Sequence, residues 1–176
     1  GCSSESGKWG PRNRASAGWG IGTIGNVEAT ALFAAVAAVA PKKIATFKPQ
    51  ELANTVWAYA TAGVAAPALF EAVAAEAPKK IATFNPQDLA NTVWAYATAG
   101  VAAPALFEAV AAEAPKKIST FNPQELANTA WAYATAGVAA PALFEAIALS
   151  IEAKISEFSH DELSQLPPPL IQLLPT

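Results

Sequence analysis

Phe84-Asn-Pro-Gln-Asp-Leu-Ala-Asn-Thr-Val-Trp-Ala-Tyr-Ala-Thr-Ala-Gly100 decides the fold, because the run returns almost unchanged on both sides of itself. It stands at Phe47–Gly63 and again at Phe121–Gly137, so starts at 47, 84 and 121 fix a period of 37 residues. Copies 47–83 and 84–120 match at 34 of 37 positions and differ only at 48/85, 51/88 and 82/119. The half-copy Ala31–Thr46 matches Ala68–Thr83 with small changes, and Phe158 opens a degenerate fourth start. A fixed period of this length marks an array whose units bury their apolar faces against one another.

Each copy reads as two helices. Asn85 is an N-cap type, Pro86 suits the first helical position, and Asp88 stands three residues after the cap, with Glu51 and Glu125 in the same role elsewhere. Leu89, Val93, Tyr96 and Ala97 follow at helical spacing, and Gly100, like Gly63 and Gly137, supplies the left-handed stop. Pro104 then opens a second helix with the stripe Leu106, Phe107, Val110, Ala114, Ile118 and Phe121. The spacing predicts first helices near 49–62, 86–99 and 123–136, with antiparallel partners after Pro67, Pro104 and Pro141. Pro78 and Pro115 are expected to kink or briefly break the second helix, since a mid-helix proline loses a hydrogen bond and clashes with the preceding turn. In the third copy Glu152 replaces that proline, and Ala146–Phe158 reads as uninterrupted helix.

The fold class is therefore all-α: an α-solenoid of about three and a half helix-pair repeats. Residues 27–166 form the solenoid, as half-repeat 27–46, repeats 47–83, 84–120 and 121–157, and a degenerate start at 158–166. Residues 1–26 read as a disordered tail, since seven of the ten glycines fall in the first 25 positions. There Lys8, Arg12 and Arg14, with several serines and one acid, Glu5, resemble the end of an organelle transit peptide. Gly20–Gly25 matches G-x-G-x-x-G, but Ser-Ala-Gly-Trp-Gly before it is no strand, so the motif reads as tail. Ser159 and Glu162 form a capping box, Pro167-Pro168-Pro169 stops the helix it starts, and Leu170–Leu174 folds back within a proline-rich cap, 167–176.

Composition narrows the chemistry. The 176 residues are 53% hydrophobic and only 14% charged, against about 25% in an ordinary domain. Pro, Lys, Thr or Glu interrupts every long apolar run, so no membrane insertion is expected. Cys2 and His160 are the sole cysteine and histidine. Disulfides, zinc clusters, Cys–His dyads and Ser–His–Asp triads are excluded together, so no metal, no cofactor, no small-molecule substrate and no enzyme activity are expected.

Four periodic sets remain. Trp57, Trp94 and Trp131, with Tyr59, Tyr96 and Tyr133, read as the bulk that fills an alanine-rich core, although a tryptophan ladder also stacks bases. Asn54, Asn91 and Asn128 are poor helix formers in mid-helix, and with Gln50, Gln87 and Gln124 they make a polar strip across the first helices. Two readings stay open: hydrogen bonds to neighbouring backbone, or recognition of base edges by paired donor and acceptor. Lys42-Lys43, Lys79-Lys80 and Lys116-Lys117 hold six of the eleven basic residues and are spaced either as a solvated loop or as a ladder for phosphates. Residues 47–158 nevertheless carry six lysines against ten acids, with Glu71, Glu108 and Glu145 expected on the opposite, solvated face.

The run Phe-Asn-Pro-Gln-Glu-Leu-Ala-Asn-Thr-x-Trp-Ala-Tyr-Ala-Thr-Ala-Gly, with Pro-Ala-Leu-Phe-Glu-Ala after it, resembles the octotricopeptide repeats of algal organelle proteins. It is also similar to the helical repeats of proteins carrying a RAP domain or FAST-kinase-like region. The resemblance covers residues 27–166, without the C-terminal RAP-like domain. It implies paired helices in a superhelix, a mitochondrial or chloroplast location, and binding of single-stranded RNA in transcript processing, stability or translation. Carried onto this chain, the RNA-facing positions are Gln50, Glu51 and Asn54; Gln87, Asp88 and Asn91; and Gln124, Glu125 and Asn128. The acid excess supports a different partner, in which the stack is a scaffold for a protein subunit of a larger assembly.

Overall fold

The computed structural model describes residues 26–174, and the glycine-rich tail, its basic residues and the Gly20–Gly25 motif lie outside them. Among the described residues the chain is helices and turns with no strand. Helix α1 (Asn26–Lys43) is followed by three pairs: α2 (Pro49–Ala62) with α3 (Pro67–Lys80), α4 (Pro86–Ala99) with α5 (Pro104–Lys117), and α6 (Pro123–Ala136) with α7 (Pro141–Ala153). Short α8 (His160–Ser164) and α9 (Pro168–Ile171) close the C-terminal end, where Leu166 and Leu170 are buried and α9 lies on α7. First helices stack on first helices and second on second, with the first-helix row the closer packed.

Local chemistry sets these boundaries. Asn85 Oδ1 accepts from the Asp88 amide at 2.7 Å, and the Asp88 carboxylate accepts from the Asn85 amide at 3.3 Å. Asn122 and Glu125 repeat the box at 2.8 and 2.9 Å. Lys48 has no acceptor atom, so α2 keeps only the carboxylate half, Lys48 N–H to Glu51 at 2.8 Å. Gly63, Gly100 and Gly137 sit at φ 70°, 69° and 69°. The amides of Gly100 and Val101 then return to the Ala97 and Tyr96 carbonyls, the double bond of a Schellman stop.

The second helix is not broken at its proline. It runs as α-helix through Pro78 and Pro115 to Lys80 and Lys117, and then tightens into 3-10 turns at Ile81–Thr83 and Ile118–Thr120. Nor is α7 longer for having Glu152 in place of proline: it stops at Ala153 and turns through Ile155–Glu157. A lysine stands two residues beyond the proline position at each stop: Lys154 Nζ bonds the Ser119 and Phe121 carbonyls at 2.8 and 2.5 Å, as Lys80 and Lys117 bond the turn before them.

The rows are joined by tyrosine. Tyr96 Oη donates to the Phe70 carbonyl at 2.5 Å inside α3, and the same bond links Tyr59 to Phe33 and Tyr133 to Phe107. Each ring also meets the edge of that phenylalanine, at 4.7, 5.0 and 4.9 Å between centroids. The Ala74 amide faces the Tyr96 oxygen, so the hydroxyl sits at one rung of α3, between carbonyl 70 and amide 74. Four residues on, Pro78 has no N–H to return to the Ala74 carbonyl. Burial pushes all three hydroxyls above the ordinary tyrosine value of 10.0.

Helix α1 is the exception in burial. Leu32 and Val36 are 57% and 41% exposed, whereas the equivalent Leu69, Val73, Leu106 and Val110 are fully buried. Glu28–Thr46 is long and apolar enough to cross a membrane by length and composition alone, at mean hydropathy 1.3. It is nevertheless the sequence of a core second helix, without a first helix laid on it among the described residues.

Two outcomes check the tyrosine tie. Tyr96→Phe removes a buried donor from a carbonyl that keeps its helical partner, the Ala74 amide, and should lower unfolding free energy by about 0.5–1.5 kcal/mol in urea titration. Because the folded-state tyrosine values are raised, their contribution is whole below pH 10 and is lost as pH rises above it. The double variant Tyr96→Phe, Tyr133→Phe should therefore show a shallower fall in urea midpoint between pH 9 and pH 11 than the parent chain.

Candidate functional site

The polar strip predicted from spacing is present on the first helices. Gln50, Gln87 and Asn54 are exposed, while Asn91, Gln124 and Asn128 are half-buried. The carboxamides of Asn54, Asn91 and Asn128 make no hydrogen bond among the described residues. The neighbouring threonines behave differently: Thr55, Thr92 and Thr129 bond back to the carbonyls of Glu51, Asp88 and Glu125 at 2.6, 2.6 and 2.7 Å. Thr thus satisfies itself on its own helix, while the Asn carboxamides keep their hydrogen-bonding capacity.

The acids at the head of the strip have another occupation. Glu51, Asp88 and Glu125 are the third residues of their helices, and each carboxylate accepts the N-cap amide. Asp88 is buried, which raises its carboxyl above the ordinary value against the opposing pull of the Asn85 amide and the Lys117 charge. The three belong to helix termini, although Glu51 is also exposed and only Asp88 is buried.

The lysine pairs divide in two. Lys80 Nζ donates to the Ala45 and Phe47 carbonyls, both at 2.7 Å, and Lys117 Nζ to Ala82 and Phe84 at 2.8 and 2.6 Å. These residues lie 33 and 35 positions apart in sequence, so Lys80 and Lys117 are staples between successive turns. Glu76 and Glu113 each hold both lysines of their pair at 3.4–3.5 Å. The first lysines point outward: Lys79 and Lys116 are each 70% exposed along the side chain, and Lys42 and Lys43 are exposed. Because Lys80 grips the carbonyl of Phe47, three residues before Gln50, the lysine ladder runs along the edge where the first helices begin.

The tryptophans are structural at the centre. Trp94 is 3% exposed and packs 6.4 Å from Trp57, ring to tilted ring, while Trp57 and Trp131 are half-buried. A ring as covered as that of Trp94 offers no face to a base, so the central tryptophan belongs to the core. Sequence reasoning missed the lysine staple and the tyrosine tie, whose acceptors are backbone carbonyls and have no side-chain signature. The signal was the fixed period itself: a lysine invariably 33 residues after a phenylalanine.

Removing each lysine tests the division. Lys117→Met strips charged donors from two carbonyls and should cost about 1.5–3 kcal/mol. Lys116→Met, on an exposed side chain, should stay within about 0.5 kcal/mol in the same denaturation series.

Compared with known proteins, residues 24–168 match the family described as RNA-editing substrate-binding complex 6 protein. No curated protein matches the chain.

Proposed function

The chain belongs to the RNA-editing substrate-binding complex 6 family, and from that premise we propose that it is a helical-repeat subunit of an organelle RNA-editing assembly, touching RNA through the first-helix strip. The observation that carries the reading is the row Asn54, Asn91 and Asn128, whose carboxamides make no hydrogen bond among the described residues, on the first helices whose starting edge carries the lysine ladder. Carboxamides pair donor and acceptor with a base edge, and lysines meet phosphate. The resemblance to octotricopeptide repeats leads to the same class of ligand, single-stranded RNA. RNA-editing complexes work in mitochondria, which favours that organelle over the chloroplast. The reading assigns no catalytic residue: the chemistry of editing belongs to other subunits, and this chain positions RNA.

A second reading has its own support. Residues 47–158 are net negative, and an acidic stack suits a protein partner within the same assembly.

Fluorescence anisotropy with short single-stranded RNAs, titrated across salt, separates the two. For RNA, Asn54→Ala, Asn91→Ala, Asn128→Ala together should erase base preference with little change in stability. Lys79→Gln with Lys116→Gln should weaken all RNAs alike and reduce the log–log salt slope by about 0.7 per phosphate contact. No binding to any RNA at low salt, with stable capture of a protein subunit of the assembly, overturns the first reading for the second.

A further inference from the structure

The α1 end and the α7 end of the described stack carry matching halves of one contact. Lys80, Lys117 and Lys154 each stand at the close of a second helix and bond two carbonyls of the turn before. Lys43 closes α1 at the same register, but it is exposed and its Nζ has no acceptor among the described residues. One period beyond Ser119 and Phe121 stand Ser156 and Phe158, whose carbonyls meet no donor among the described residues. One end has the lysine without its turn, and the other has the turn without its lysine.

Apolar surface and charge divide in the same way. Leu32, Val36 and Val39 of α1 are exposed. Position 39 looks toward a preceding unit, because its equivalent Ser150 donates to the Ile118 carbonyl of the turn before, and its equivalent Glu113 is buried. At the far end a groove of about 520 Å³ runs along α7 from Pro141 to Glu152, lined by Ala148, Leu149 and, beyond α9, Leu173. Leu149 and Leu173 are exposed there. The charges are opposite: Lys42 and Lys43 are exposed at the end of α1, while Glu152 and Glu157 are exposed at the end of α7 and on its turn.

We propose that this groove takes α1 of a second copy, so that copies join head to tail and the repeat continues across the junction. The stack itself supplies the geometry. Second helices lie on second helices, and each closing lysine meets the turn after the preceding one, so they run parallel. The incoming α1 lies along α7 as α3 lies on α1, with Lys43 Nζ on the Ser156 and Phe158 carbonyls and Lys42 beside Glu152 and Glu157. Short α8 already rests on α6 in the first-helix row, with Leu163 at the position of Leu52, and the incoming α1 is the second helix that completes its pair. Such a contact joins two different surfaces, so it does not close on a pair, and copies add in an open row.

Sedimentation velocity of the full 176-residue chain at rising concentration tests this, with growth through a dimer to longer species expected. Val36→Asp and Lys43→Met at one end, and Leu149→Asp at the other, change side chains exposed in a single copy, so each variant should keep the parent's thermal unfolding when dilute. Each should weaken association at least about tenfold. Mixing is the decisive arm. Val36→Asp keeps a sound α7 end and Leu149→Asp a sound α1 end, so together they should form a one-to-one pair and nothing longer. A chain that stays a single copy at every concentration overturns the proposal. So does a mixture that forms no pair, or a Leu149→Asp chain that associates as the parent does, which assigns α1 to a symmetric contact with another α1.

Discussion

A phenol hydroxyl set against the backbone of the preceding helix is the contact on which the stack depends. Tyr59, Tyr96 and Tyr133 each reach a phenylalanine 26 residues earlier, giving a hydrogen bond to its carbonyl and an edge contact to its ring. The bond is directional, so it fixes both the height and the rotation of one helix against the next, which apolar packing alone does not. It also demands close approach, and alanine permits that. The rows that pack most tightly are lined by Ala53, Ala90, Ala95, Ala130 and Ala132, all buried. The high alanine content is therefore not a loose core but the condition for a tyrosine to touch the neighbouring backbone.

Where the sequence was legible, each signal was local. Asn85, Pro86 and Gly100 state the start and stop of α4 within their own side chains and backbone freedom, so the first helices fall on their expected bounds. The unbroken helix expected over 146–158 fails because the absence of proline at Glu152 was weighed alone. Pro78 removes one hydrogen bond near a helix end, whereas the turn is held by Lys80 on carbonyls 33 and 35 residues away and by Thr83 on the Lys80 carbonyl at 2.7 Å. No propensity scale sees a partner at that distance. For the same reason Asp88 and Glu125 looked like surface recognition groups and cap signals at once, and only geometry showed the carboxylates occupied by the caps.

Copies one and two are nearly identical in sequence, so differences in their burial report position alone. Trp94 is almost wholly covered while Trp57 is half-buried, and Ala95 is buried while Ala58 is not. The central copy has a neighbour on both sides, and its residues gain cover from helices that share no local sequence with them. This is the one-dimensional energetics of a solenoid, in which each unit's stability is completed by the next. Function reads onto such a stack as rows, because a residue repeated at the period appears on a line rather than at a point.

Charge obeys the same geometry, and net charge conceals it. Of the six lysines in 47–158, Lys80, Lys117 and Lys154 are committed to backbone carbonyls, and Glu76 and Glu113 to the lysines beside them. The acids at helix starts are committed to caps. Glu71, Glu108 and Glu145 stay in solvent near the start of each second helix, as do Lys79 and Lys116 at the end of two of them. Eight residues separate Glu71 from Lys79, about 12 Å along a helix, which exceeds the screening length of about 8 Å at physiological salt. The exposed glutamates and the exposed lysines therefore stand toward opposite ends of the second helices, each in the sense the helix dipole favours. The exposed lysines lie toward the edge where the first helices begin, although the repeats as a whole are acidic.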